Sequence, residues 1–147
     1  MGPSIWWCNQ GENWKVERAN NKVCSVETVK RQPFRETVGH VKKGDICVHY
    51  RKMHIVAISQ AVEDGVACII PFSGYGKGWM FSTTYFDLKI PINRNRVNVD
   101  ISALALKSSP IIKGGRVRYA YLIPFSLDGL RIIKRASTDV WPKWALV

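Results

Sequence analysis

Apolar residues along the chain come in short runs, and the spacing inside each run decides which element it predicts. Residues 5–9, with Ile5, Trp6, Trp7 and Cys8 in succession, predict a short strand. Residues 12–19 predict a helix of one or two turns, with Asn13 as its N-cap and Asn20-Asn21 at its end. Residues 22–26 predict a second strand and 34–41 a short helix. Lys42-Lys43-Gly44-Asp45 is a turn in which Gly44 supplies the unusual φ. Residues 46–51 and 54–61 are β-rich and flank a tight basic turn. Glu63-Asp64-Gly65 marks another turn before the apolar residues 66–71. Residues 79–88 alternate, with Trp79, Phe81, Thr83 and Tyr85 on one face and Met80, Ser82, Thr84 and Phe86 on the other. Helical spacing returns at 99–107, a strand at 117–123, and a last helix at 127–136 capped by Ser126. Many short strands with few short helices define an α+β class: a strongly curved mixed sheet or partial β-barrel flanked by short helices. Residues 1–147 read as one domain, without repeat or linker.

Composition narrows the class. With 46% hydrophobic and 22% charged residues, the chain is neither a disordered tail nor a collagen-like repeat. No apolar run approaches the ~18 residues of a bilayer span. The run from Ile5 to Cys8 is too short for an export signal and lacks a basic lead-in. The four cysteines, Cys8, Cys24, Cys47 and Cys68, include no C-x-x-C pair, which excludes zinc-ribbon and dithiol redox motifs. A cytoplasmic location with reduced thiols is the expectation.

Charge points to a partner. Lys and Arg total 22 against 11 Asp and Glu, a net of +11, and an excess of that size favours an anionic ligand. The cations are spread in ones and twos, without the polybasic block or basic amphipathic helix of a membrane binder, so nucleic acid is placed ahead of a membrane surface. Signatures of catalysis are missing. There is no G-x-S-x-G, phosphate-binding glycine loop or H-E-x-x-H, and no Glu stands two residues before a Lys as in a common nuclease pair. His49 reads as a hydrogen-bonded sheet histidine rather than a metal ligand. No enzyme, metal or cofactor is expected.

Aromatic residues are the other unusual feature: six Trp and five Tyr. Trp is costly to expose and makes a good stacking platform for bases. Trp14 is expected to anchor the core, and Trp141 and Trp144 to dock the tail. Trp6 and Trp7 face opposite sides of their strand, so one is core and the other covers something else. Trp79 follows Gly74-Tyr75-Gly76-Lys77-Gly78, a basic aromatic loop suited to the lip of a pocket; a plain hairpin with Trp79 buried is the competing reading.

Ile5-Trp6-Trp7-Cys8-Asn9-Gln10-Gly11, followed by Glu12-Asn13-Trp14, resembles the opening of EVE domains, members of the PUA-like superfamily and structural relatives of YTH domains. The segments Val41–Tyr50, His54–Val62, Gly78–Tyr85 and Arg118–Pro124 resemble later pieces of the same pattern in order, together covering most of the chain. The opening is most similar to EVE-like modules of McrB-type and HNH-type modification-dependent restriction enzymes. The resemblance implies a PUA-like fold and a specificity module, partnered by a nuclease or NTPase, that flips a modified, methylated base into an aromatic pocket. Cys24 stands where the family has a cage Trp, and Ser25 matches the small residue whose N–H faces the base. The missing wall then falls to Trp79, Tyr75 or Trp7. Asn9, Gln10 and Asn13 lie where the family bonds the base edge.

Burying one methyl is worth only about 0.8 kcal/mol, roughly fourfold in affinity. A reader therefore needs stacking, at roughly 1–3 kcal/mol per wall, and a lower cost of extruding the modified base. Lys42, Lys43, Arg51, Lys52, Lys77, Arg94 and Arg96 are the candidate phosphate contacts. DNA is the expected partner. A modified-RNA reader, or a small-molecule or protein-interaction module on the same fold, is the alternative.

Overall fold

Two adjacent strands are buried on both faces, and the rest of the molecule is arranged around them. β1 (Ile5–Asn9) and β3 (Ile46–Arg51) pair in parallel, with Trp7 opposite Val48 and Cys8 opposite His49. Near-continuous apolar sequence on both strands is what double-sided burial demands. The computed structural model describes residues 2–27 and 32–147. Among these, one seven-stranded sheet runs β2 (Lys22–Val26), β6 (Gly76–Asn93), β4 (His54–Ala61), β3, β1, β7 (Leu122–Pro124), with β5 (Val66–Ile70) paired to β6. Among the described strands, only the β1–β3 pair is parallel. No helix among the described residues is long and apolar enough to cross a membrane.

The 18-residue β6 curls the sheet. Its first half pairs with β2 and β5, its second with β4. Alternation predicted a strand at 79–88; the observed strand runs on past Pro91 to Asn93. Proline survives there because the register breaks: Ile55 faces Ile92 but Ala57 faces Asp87. Asp139 accepts the freed N–H groups of Lys89 (2.6 Å) and Ile90 (3.3 Å).

Each face carries a core. On one side, Trp7, Val48, Ile55, Ile123 and Ile133 pack beneath α2 (Asn98–Ala103) and α3 (Leu127–Ala136). On the other, Trp6, Cys8, Cys47, Phe81, Tyr85 and Leu122 pack together. The expectation that only one of Trp6 and Trp7 is core is corrected: both are, in different cores. Trp6 Nε1 donates to Asp45 (3.0 Å) and Trp7 Nε1 to Asn9 (2.7 Å), which makes burial of both indoles affordable. Trp141 is buried with its Nε1 on Ser137, docking the C-terminal segment as expected.

Three other elements differ from sequence expectation. Residues 34–41 give a 3-10 helix, Glu36–His40. The helix expected at 99–107 is shorter, because Ala105 adopts a left-handed φ of 53°. In place of a strand over 117–123, only Leu122–Pro124 joins the ladder. Upstream, the Asn9 amide substitutes for a strand partner, donating to the carbonyls of Arg118 (3.0 Å) and Ala120 (2.7 Å). The first helix, α1 (Trp14–Ala19), has Asn13 at its N-cap position without a side-chain capping bond. Ser126 does cap α3, accepting from Gly129 N at 3.0 Å. Ser126→Ala is therefore expected to cost about 1 kcal/mol, read as a lowered urea midpoint at unchanged slope.

Candidate functional site

A hollow of about 480 Å³ opens at the C-terminal ends of β1 and β3. Its size falls in the range of small-ligand sites, roughly 300–1,000 Å³. Asn9, Gln10, Gly11 and Asn13 form one side, Cys24, Val26 and Arg35 another, and Arg118 to Tyr121 a third. Tyr50, Arg51 and Lys52 complete it at the end of β3.

Glu17 organises the floor. It is buried on α1 and accepts from Cys24 N (3.0 Å), Gln10 Nε2 (3.4 Å) and the Tyr121 hydroxyl. Burial pushes its carboxyl above the usual range, against the downward pull of these donors and of His49. Gln10 spends its whole amide inside the protein: Nε2 also donates to Tyr85 Oη (3.1 Å), and Oε1 meets His49 Nδ1 (2.7 Å). Tyr85 Oη donates in turn to Lys22 O (2.8 Å). His49 Nε2 meets Ser59 Oγ at 2.7 Å, so His49 is the hydrogen-bonded sheet histidine expected. The thiols of Cys8 and Cys47 lie within 4.8 Å of a His49 ring nitrogen, all three residues buried. Binding a metal there would cost His49 one of its two side-chain bonds. Burial pushes the Cys8 thiol well up, and its contact with Cys47 adds to the shift.

The raised Glu17 carboxyl makes a testable statement about stability. A folded value above the unfolded one means that protonation favours the fold, so this stability is present at low pH and lost as pH rises through the folded value. The stability difference between wild type and Glu17→Gln is expected to widen in favour of wild type as pH falls from 8 to 5. A difference that stays constant in urea titrations across that range would contradict it.

Aromatic and cationic groups line the rest. Tyr121 is buried beneath the guanidinium of Arg35, 5.1 Å from ring centroid to Cζ. Desolvation lowers the Arg35 pKa, and its Nε donates to Val26 O (3.0 Å). Tyr119 is 66% exposed at the rim, a flat ring without cover. The Cys24 thiol is pushed up to about 12 by burial and the nearby Glu17, so this wall is a neutral thiol.

The structure brings together Asn9, Gln10, Asn13, Cys24, Arg51 and Lys52 of the residues singled out from sequence. The others lie elsewhere. Trp7 is 0% exposed beneath Tyr50, stacked at 5.4 Å, so it offers no wall. Ser25 is buried and donates its hydroxyl to Arg35 O. Trp79 is half-buried against Gly39 and lines a separate hollow with Lys77, Cys68 and Ile69. Tyr75 packs edge-on against Phe72 at 5.5 Å. Lys42 and Lys43 flank the start of β3, a strand length of roughly 16 Å from Arg51 at ~3.3 Å per residue. Arg94 is hydrogen-bonded through its N–H to Met53 O, next to the Arg51-Lys52 turn, and Arg96 follows in the same 3-10 turn.

Sequence reasoning missed Glu17, Arg35, Tyr119 and Tyr121. Tyr119 and Tyr121 stand two apart around Ala120, a pattern visible in the sequence and read only as strand alternation. Glu17 and Arg35 sit on short segments whose placement needs the whole sheet.

At the level of sequence, no family model and no curated protein matches the chain. Solved structures do match its fold. Rpa0253 from Rhodopseudomonas palustris superposes with a TM-score of 0.58 at 13% identity, over 91% of this chain and 92% of that one. The YTH domain of Zygosaccharomyces rouxii MRB1, solved with N6-methyladenosine RNA, gives 0.59 at 12% identity, over 97% and 94%. The Pho92 YTH domain, solved with m6A, gives 0.56 at 14% identity, over 95% and 89%. The architecture is thus a curled half-barrel sheet with short helices, a fold shared with Rpa0253 and the YTH domains. Such identities establish the fold alone.

Proposed function

We propose that this chain is a non-catalytic reader of a modified nucleotide, most simply a modified, methylated base flipped from DNA into the hollow at the ends of β1 and β3. The observation that carries the reading is that hollow: about 480 Å³, edged by an uncovered Tyr119 and by the cations Arg51, Lys52 and Arg118. Tyr119 stacks on the extruded base. Arg51, Lys52 and the adjoining Arg94 hold phosphates, which supplies affinity without sequence information. Asn9 and Gln10 shape the site without reading a base edge, since their amides already have partners. Specificity for a modification-dependent restriction system, with a nuclease or NTPase partner, follows from the resemblance of the opening segment. The YTH structure solved with methylated RNA favours one second reading, a modified-RNA reader.

The test is a binding panel of otherwise identical oligonucleotides carrying plain, N6-methylated or 5-methylated bases or a bulkier group, in deoxy and ribo form, at one salt concentration. At least one modified member is expected to bind tenfold or more tighter than the plain one. Equal binding throughout would end the reading, and preference for the ribo series would transfer it to RNA.

Cation placement adds a second expectation. Arg51→Ala with Lys52→Ala weakens modified and plain oligonucleotides alike and lowers the log–log salt slope by about 2. Lys42→Ala with Lys43→Ala, at the far end of β3, leaves both nearly unchanged. The reverse result would move the nucleic-acid track to the other end of the sheet.

A further inference from the structure

β5 is an edge strand whose outer side is covered, among the described residues, only at its start, where Gly65 N donates to Val41 O at 2.8 Å. Its residues Val66, Ala67, Cys68, Ile69 and Ile70 carry no charge, in a chain with net +11. Edge strands normally carry a Lys, a Pro or a bulge that discourages pairing; here Pro71 lies just outside the strand. Ile69 is 74% exposed and Val66 also stands in solvent.

The ladder fixes which backbone groups face outward. Glu27 N donates to Lys77 O at 3.0 Å, so the polar groups of Lys77 turn toward the β2 side of β6. Those of Gly78 then turn toward β5, where Gly78 faces Cys68. Alternation along β5 leaves the N–H and C=O of Ala67 and Ile69 pointing away from β6. Among the described residues, no hydrogen bond outside the β5–β6 ladder reaches residues 66–70.

We propose that β5 pairs antiparallel with β5 of a second copy of this chain, about a two-fold axis through Cys68. That register sets Ala67 against Ile69 of the partner and Ile69 against the partner's Ala67. All four free backbone groups are then satisfied in two reciprocal pairs, and each exposed Ile69 covers a partner Ala67. The register is self-complementary, as a two-fold interface requires. The occupant is a second copy because this register is its own complement, and the neutral strip lets two chains of net +11 meet without opposing cations. The register also sets the acidic turn Glu63-Asp64 of each copy toward the Lys77 end of the other. The two Cys68 residues become a directly facing, non-hydrogen-bonded pair with Cα atoms about 4.5 Å apart, inside the window of about 4.4–6.8 Å for a disulfide. Cys68 is half-exposed, whereas Cys8, Cys24 and Cys47 are buried.

Two measurements on the full chain test this. Diamide, which accepts the two hydrogens of a thiol pair as the S–S bond forms, is expected to trap a Cys68–Cys68 dimer. Trapping is expected at least tenfold faster than in a collision control with Cys68→Ser and Val140→Cys, Val140 being 90% exposed. Independently of any thiol chemistry, Cys68→Ser keeps a monomer–dimer equilibrium in sedimentation, and Ile69→Lys or Ala67→Lys weakens it at least tenfold. Both lysine positions are exposed, and unchanged circular dichroism certifies that the variants fold. Monomers at every concentration, or dimers that persist in both lysine variants, would overturn the pairing and leave the edge to an extended segment of another protein.

Discussion

Replacing Trp7 with alanine is expected to cost the fold about 3–5 kcal/mol, the range for a large aromatic removed from a closed core. Trp7 is fully enclosed, stacked on Tyr50 and edge-on to Phe125 at 5.5 Å. Its indole N–H also donates to Asn9 Oδ1, and Asn9 ties β1 to the carbonyls of Arg118 and Ala120. The substitution therefore opens a void and loosens the segment carrying Tyr119. Domains of this size have only about 5–15 kcal/mol of stability, so a large drop in the urea midpoint, or outright insolubility, is the expected result. A loss under 1 kcal/mol would mean that Trp7 is not the anchor its burial implies.

Tyr119→Ala is expected to act on binding with little effect on stability. The ring is mostly exposed, so truncation removes little packing. Stacking a base on one aromatic face is worth roughly 1–3 kcal/mol, which is about five- to 150-fold in affinity. The loss falls mainly on the modified oligonucleotide, because only an extruded base reaches the ring. Trp79→Ala, by contrast, disturbs the packing against Gly39 and leaves the modified-to-plain ratio alone. Should Trp79→Ala erase the ratio and Tyr119→Ala spare it, the glycine-rich loop before Trp79 is the site after all.

Much of the fold was legible because period and punctuation agree locally. Strands β1 to β5 and the Ser126-capped α3 all show in the apolar spacing. The β6 extension past Pro91 did not, because Asp139, about fifty residues away, supplies the hydrogen bonds that make proline tolerable there. Residues 117–121 did not either, since a side chain, Asn9, takes the part of a strand. The site was half legible for the same reason. Asn9, Gln10, Asn13 and Cys24 meet in the hollow because β1, α1 and β2 follow one another closely. Trp7, Trp79 and Lys42 lie away from that hollow, because their placement depends on which sheet face is covered and which strand end is open. Neither property is encoded within a ten-residue window.

The most direct measurement is the modified-to-plain affinity ratio of Gly11→Trp. Gly11 lines the hollow, and a Cβ there meets nothing within 4 Å, so an indole can be added to the lining without a clash at its root or strain in the backbone. The ratio is expected to fall to one while plain oligonucleotides keep most of their affinity, since the Gly11 carbonyl that accepts from Arg51 Nε at 3.4 Å is retained. A ratio equal to wild type in a folded Gly11→Trp protein would contradict the account, because an occupied hollow cannot also admit a base.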